Sequence, residues 1–182
     1  TDVIDWDAAR DGNIHNLSYD LQHADALDGS NAHATNWVLR FKFVISAKSG
    51  ISSSSNKVFV GLSSHPHSTG YGSSQDSISF RANYDNDETD TFKACDSSDA
   101  AMDETGTAFA QAMSVGTYHV EIIRTGDATA TCNLYDSTGY GTLLESETFT
   151  PDAGAVTALR YIVVKTRDSS NNNGVFNGTI DD

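Results

Sequence analysis

The stretch Trp37-Val38-Leu39-Arg40-Phe41-Lys42-Phe43-Val44-Ile45 alternates with a period of two. Successive side chains of an extended chain point to opposite sides. Trp37, Leu39, Phe41, Phe43 and Ile45 therefore share one face, and Arg40 and Lys42 the other. A helix would spread those charges around its circumference, so the pattern predicts a half-buried strand. Similar runs follow at Lys57 to Leu62, Ser77 to Tyr84, Tyr118 to Arg124, Ala130 to Tyr135, Leu159 to Thr166 and Val175 to Ile180, with a shorter one at Thr91 to Cys95. Thr125-Gly126-Asp127-Ala128-Thr129 reads as a hairpin turn. Ser, Gly, Asn and Asp clusters separate the other runs and read as loops. Asp99 to Met113 is the one place where a helical turn is expected. Many short strands with turn-rich connections predict an all-β sandwich or barrel. No internal repeat or shift in composition divides the 182 residues, so a single domain over 1–182 is expected.

Charge excludes several partners. The chain carries 25 acidic and 11 basic residues, a formal net charge of −14. With the basic residues scattered, nucleic-acid binding is not expected, because phosphate backbones need a basic surface. No apolar run approaches the roughly 18 residues of a membrane-spanning helix, so no membrane insertion is expected. Thr1-Asp2 reads as a mature or trimmed start from which a leader has been removed, and two sequons, Asn16-Leu17-Ser18 and Asn177-Gly178-Thr179, fit a glycosylated extracellular or cell-surface protein. The two cysteines, Cys95 and Cys132, have no zinc spacing. They are expected either to form a disulfide or to be small buried apolar residues.

Leu17-Ser18-Tyr19-Asp20-Leu21 leading into Trp37 to Phe43, Tyr118-His119-Val120-Glu121-Ile122-Ile123-Arg124-Thr125, and Leu159 to Val164 followed by Asn177-Gly178-Thr179-Ile180-Asp181-Asp182 together resemble the concanavalin A-like lectin/glucanase superfamily in its laminin-G-like branch. More narrowly they resemble modules of marine archaeal surface proteins. The resemblance covers 16–182 and implies a two-sheet antiparallel jelly-roll β-sandwich. Such modules usually continue through one more apolar strand, whereas this chain ends at Asp182 and begins with a strand-like Thr1-Asp2-Val3-Ile4-Asp5-Trp6. Residues 1–15, with Val3, Ile4 and Trp6 as the assembly strand, would fill that gap in their own chain or in a neighbour.

Glycosidases of this superfamily resemble one another in a Glu-x-Asp-x-x-Glu strand. Glu145-Ser146-Glu147 is the nearest spacing and lacks the middle Asp. No nucleophile elbow or phosphate loop occurs either, so the chain is expected not to be an enzyme. Calcium takes several oxygen ligands from a loop. Asp85, Asp87 and Asp90 supply one candidate set, against the alternative of a solvated acidic turn. The resemblance nominates a second near the termini, Asp181 and Asp182 with Asp5 or Asp7. His65-Pro66-His67 is a weaker site for a transition metal. Tyr71 and Tyr140 lie among Gly and Asp residues and are the candidates for stacking on a glycan, whereas Trp37 and Tyr84 belong to the core. The leading expectation is an extracellular structural subunit that self-assembles into a filament, sheath or surface layer. The alternative is a lectin-like carbohydrate-binding or adhesion module.

Overall fold

The computed structural model describes residues 3–8, 14–20, 36–50, 56–65, 75–84, 90–100, 105–126, 129–151, 159–167 and 174–181. These residues are all-β. Twelve strands run in chain order: β1 (Ile4–Asp7), β2 (Ile14–Asp20), β3 (Asn36–Ser49), β4 (Asn56–Ser63), β5 (Gln75–Tyr84) and β6 (Thr91–Ala100). Then come β7 (Thr105–Ala112), β8 (Gly116–Thr125), β9 (Thr129–Tyr135), β10 (Leu143–Phe149), β11 (Tyr161–Arg167) and β12 (Val175–Asp181). One six-stranded sheet has the order β1-β12-β3-β8-β9-β10, the other β2-β11-β4-β5-β6-β7. Every pairing is antiparallel, and the arrangement is a jelly-roll β-sandwich. The turn expected after Thr125 is a hairpin, with Thr125 opposite Thr129 and Gly126 at φ 66°. No helical turn forms where one was expected; the edge strand β7 occupies Thr105–Ala112.

The alternation in β3 sets the core. Phe41, Phe43 and Ile45 are buried between the sheets. Phe43 meets Phe80 of β5 at 5.4 Å between ring centroids, Phe80 meets Phe92 of β6 at 5.3 Å, and Phe92 meets Tyr118 of β8 at 4.8 Å. This aromatic column ties the two sheets together, and each such ring contributes about 1.5–3 kcal/mol by burial. Trp37 and Tyr84 pack against the same core, as expected.

The N-terminal strand closes its own chain's sheet. Ile4 lies opposite Ile180 and Trp6 opposite Gly178. Trp6 is buried, stacks on Phe43 at 5.3 Å and meets Phe176 edge-on at 4.9 Å. Gly178 is required here. A Cβ at that position would sit 1.7 Å from the Val44 carbonyl oxygen and 2.8 Å from the Trp6 ring. A β-bulge at Asn177/Gly178 shifts the register against β3 at this point.

The two outer faces differ. On the outer face of the second sheet, Phe59 and Val163 form a small cluster of their own, and Ser77, Ser79, Arg81, Asn83 and Lys165 are buried with them. On the outer face of the first sheet, the Arg40 side chain is 60% exposed and Val38 is 54% exposed. The first sheet therefore presents the open surface.

Candidate functional site on the first sheet

Cross-strand partners share a face, so pairing β3, β8, β9 and β10 assembles a row on that surface. Arg40 lies opposite Glu121, Glu121 opposite Asn133, and Asn133 opposite Ser146. In the next row, Asp181 lies opposite Lys42, Lys42 opposite His119, and His119 opposite Tyr135.

Glu121 is the centre of the network. Its side chain is only 7% exposed although it points outward. The Arg40 guanidinium donates from Nε to Oε1 at 2.7 Å, with Nη2 at 2.6 Å from the same oxygen. The Asn133 amide donates to Oε2 at 2.9 Å and the Tyr135 hydroxyl to the same oxygen at 3.1 Å. Ser146 Oγ donates to Asn133 Oδ1 at 2.7 Å, which fixes the orientation of that amide. Burial by itself would raise the Glu121 pKa. The hydrogen bonds from Asn133, Arg40 and Tyr135, with the Arg40 charge, outweigh it and hold the carboxyl below its usual range. Tyr135 is shifted the other way, first by burial and then by the Glu121 charge.

Tyr140 is brought over this network by the turn between β9 and β10. Asp136 Oδ1 accepts from the Thr138 backbone N–H at 2.9 Å and from its hydroxyl at 2.5 Å, an Asx-type turn. Gly139 then takes φ 101°, which a residue with a Cβ rarely adopts. The Tyr140 ring comes to rest 5.2 Å from His119 and 5.4 Å from Tyr135, with the Arg40 guanidinium 5.3 Å from its centroid. It remains 39% exposed. Burial is also the first cause of its raised pKa. His119 Nδ1 donates to the Asp136 carbonyl at 3.0 Å, since that oxygen only accepts. The result is an aromatic platform above a fully bonded carboxylate, flanked by hydroxyl, amide and imidazole groups. Lys42 and Asp181 continue it toward β12 as an ion pair at 2.9 Å.

Of the residues singled out from sequence, Tyr140 and Asp181 lie on this surface. Tyr71, Asp85, Asp87 and Asp182 lie outside the described residues, as does His67. Both described members of the proposed calcium sets are held by lysines: Asp90 by Lys48 and Asp181 by Lys42. Among the described residues no group of three potential metal ligands converges. Asn16 lies in β2, opposite Lys165, and Asn177 in β12. The disulfide does not form: Cys95 and Cys132 are both buried as thiols, one in each sheet, and burial drives the Cys132 thiol pKa far up. Arg40, His119, Glu121, Asn133 and Tyr135 were not singled out. The alternation puts His119 and Glu121 on the outer face of β8, but only the register brings Arg40 and Asn133 alongside.

No family model matches the chain, and no curated protein matches it. Solved structures do. Lectin UEA-II in complex with galactose matches with a TM-score of 0.52 and 10% identity, over 98% of this chain and 92% of that one. Scytalido-glutamic peptidase with a peptide-based transition-state analogue matches with a TM-score of 0.51 and 15% identity, over 93% of this chain and 76% of that one. The expectation that the chain is not an enzyme is corrected by the second match: the sandwich that lacks a glycosidase motif is shared with a peptidase, so a missing motif says nothing against catalysis on this fold. The chain has the concanavalin A-like jelly-roll fold, one that lectins and enzymes both use.

Proposed function

We propose that this protein binds carbohydrate on the outer face of its first sheet. The observation that carries the reading is Tyr140, held 39% exposed against Arg40, His119 and Tyr135 above the buried Glu121 carboxylate. An exposed ring fixed from below stacks on the apolar face of a sugar with little loss of conformational freedom. Asn133, Ser146 and His119 lie beside it and offer donors and acceptors for hydroxyl groups. The surface suits a neutral glycan, because Arg40 is paired with Glu121 and Lys42 with Asp181. The galactose-complexed lectin that shares the fold supports the same reading.

Self-assembly by strand donation has less support, because β1 already fills the place beside β12 in its own chain. The test is a glycan array followed by titration calorimetry on the best hit. Tyr140→Ala is expected to weaken binding by at least tenfold, the loss of one aromatic stacking contact. Its melting temperature should stay close to that of the parent, because the side chain lies outside the core. Equal affinity of parent and variant would refute the reading.

A further inference from the structure

Away from Tyr140, a groove of about 350 Å³ opens where the bulge separates β12 from β3. It is lined by Asp5 and Trp6 of β1, Ser46 of β3, and Asn177, Gly178 and Thr179 of β12. None of these belongs to the Glu121 network. The volume is at the lower end for small-molecule sites and far above the roughly 30 Å³ of one water. Trp6 is 4% exposed, and its Nε1 meets no hydrogen-bond acceptor. A buried indole N–H almost always finds a partner. Gly178 adds to the space, because the side chain it lacks would collide with Trp6.

The lining restricts what the groove takes. An indole N–H only donates, so a bare cation cannot satisfy it. A carboxylate such as Asp5 only accepts when ionised, and together with the net charge of −14 it disfavours an anion. A ligand that accepts from Trp6 and donates to Asp5 must carry groups that do both. Hydroxyls do, and Ser46, Asn177 and Thr179 match them. We propose that this groove is a sugar subsite separate from the Tyr140 surface, taking a neutral hexose through its hydroxyl groups.

The test uses the two indole N–H signals of the ¹⁵N-labelled full chain, from Trp6 and Trp37. Trp6→Phe assigns them, or Trp37→Phe by elimination if the first variant does not fold. The methyl glycosides of galactose, glucose and mannose serve as probes. With at least one of them the Trp6 signal is expected to shift and saturate while the Trp37 signal stays in place. Thr179→Val should weaken that titration about tenfold, the effect of one lost hydrogen bond. Tyr140→Ala should leave it unchanged. A Trp6 signal that stays still with all three probes overturns the subsite, whether or not Tyr140-dependent binding is found. A Trp6 shift abolished by Tyr140→Ala overturns it too, since the effect would then originate at the other surface.

Discussion

Glu121 shows how an outward-facing carboxylate is kept charged while nearly buried. Three side chains donate to its two oxygens. Arg40 is largely exposed, so solvent screens its charge and most of the stabilisation resides in the hydrogen bonds. Charge-assisted bonds of this kind contribute about 1.5–3 kcal/mol in proteins. Glu121→Gln is expected to cost about 1–2 kcal/mol at neutral pH, because the amide keeps the shape and loses the charge. The folded-state pKa of Glu121 is lowered. Its contribution is therefore complete above the unfolded-state value of about 4.3 and is lost as the pH falls through the lower, folded-state value. Urea denaturation of parent and variant should show their stabilities converging below about pH 4. A gap that is constant with pH would mean that the carboxylate is protonated or unpaired in the fold. Tyr140 was visible in the sequence as an aromatic residue in a turn. Its partners were not, because they come from strands up to about a hundred residues apart and only pairing brings them together.

The elements that sequence patterning missed are the edge strands. Core strands announce themselves because one face is a continuous apolar row, as in β3. β7 reads Thr-Gly-Thr-Ala-Phe-Ala-Gln-Ala, and only Phe109 is a large core residue. β10 reads Leu-Leu-Glu-Ser-Glu-Thr-Phe, with no apolar alternation. Each is half of a solution to the exposed-edge problem. They are the edge strands of opposite sheets, and Glu145 of β10 bridges them. Its Oε1 accepts the Ala110 backbone N–H at 2.7 Å, and its Oε2 accepts that of Gln111 at 2.7 Å. The Glu145-Ser146-Glu147 spacing that came nearest to a catalytic pair is thus partly a clamp on a sheet edge. Next to Glu145, Glu147 has a raised pKa, from burial first and then from its neighbour's charge. Glu145→Ala is expected to cost about 1 kcal/mol, since water can reach the released amides. Hydrogen exchange at Ala110 and Gln111 should quicken while exchange in β3 and β8 stays unchanged. Unaltered protection at those two amides would show that the clamp is not made in solution.

At the scale of the whole molecule, the question is what holds two sheets together with so few local contacts. Chain-distant strands pair throughout: β1 lies on β12 and β2 on β11. The interior answers with aromatic packing rather than a covalent link. Trp6, Phe43, Phe80, Phe92 and Tyr118 form a continuous series of ring contacts from the first strand to the eighth. The cysteines are one per sheet, and Cys132 is part of that interior as a thiol. Sequence left the pairing open, because spacing along the chain does not report which way two side chains point. The consequence is measurable. A disulfide closing the loop from Cys95 to Cys132 would contribute roughly 4 kcal/mol on the chain-entropy model. For a domain of this size, each kcal/mol moves the melting temperature by about 2–4 °C. The structure predicts that a reductant leaves the melting temperature unchanged, and that a thiol reagent titrates two groups in the unfolded chain and none in the folded one. A drop of about 10 °C on reduction, with no titratable thiol in the unfolded state, would mean that the sulfurs are joined. The packing around β6 and β9 would then have to differ from that described.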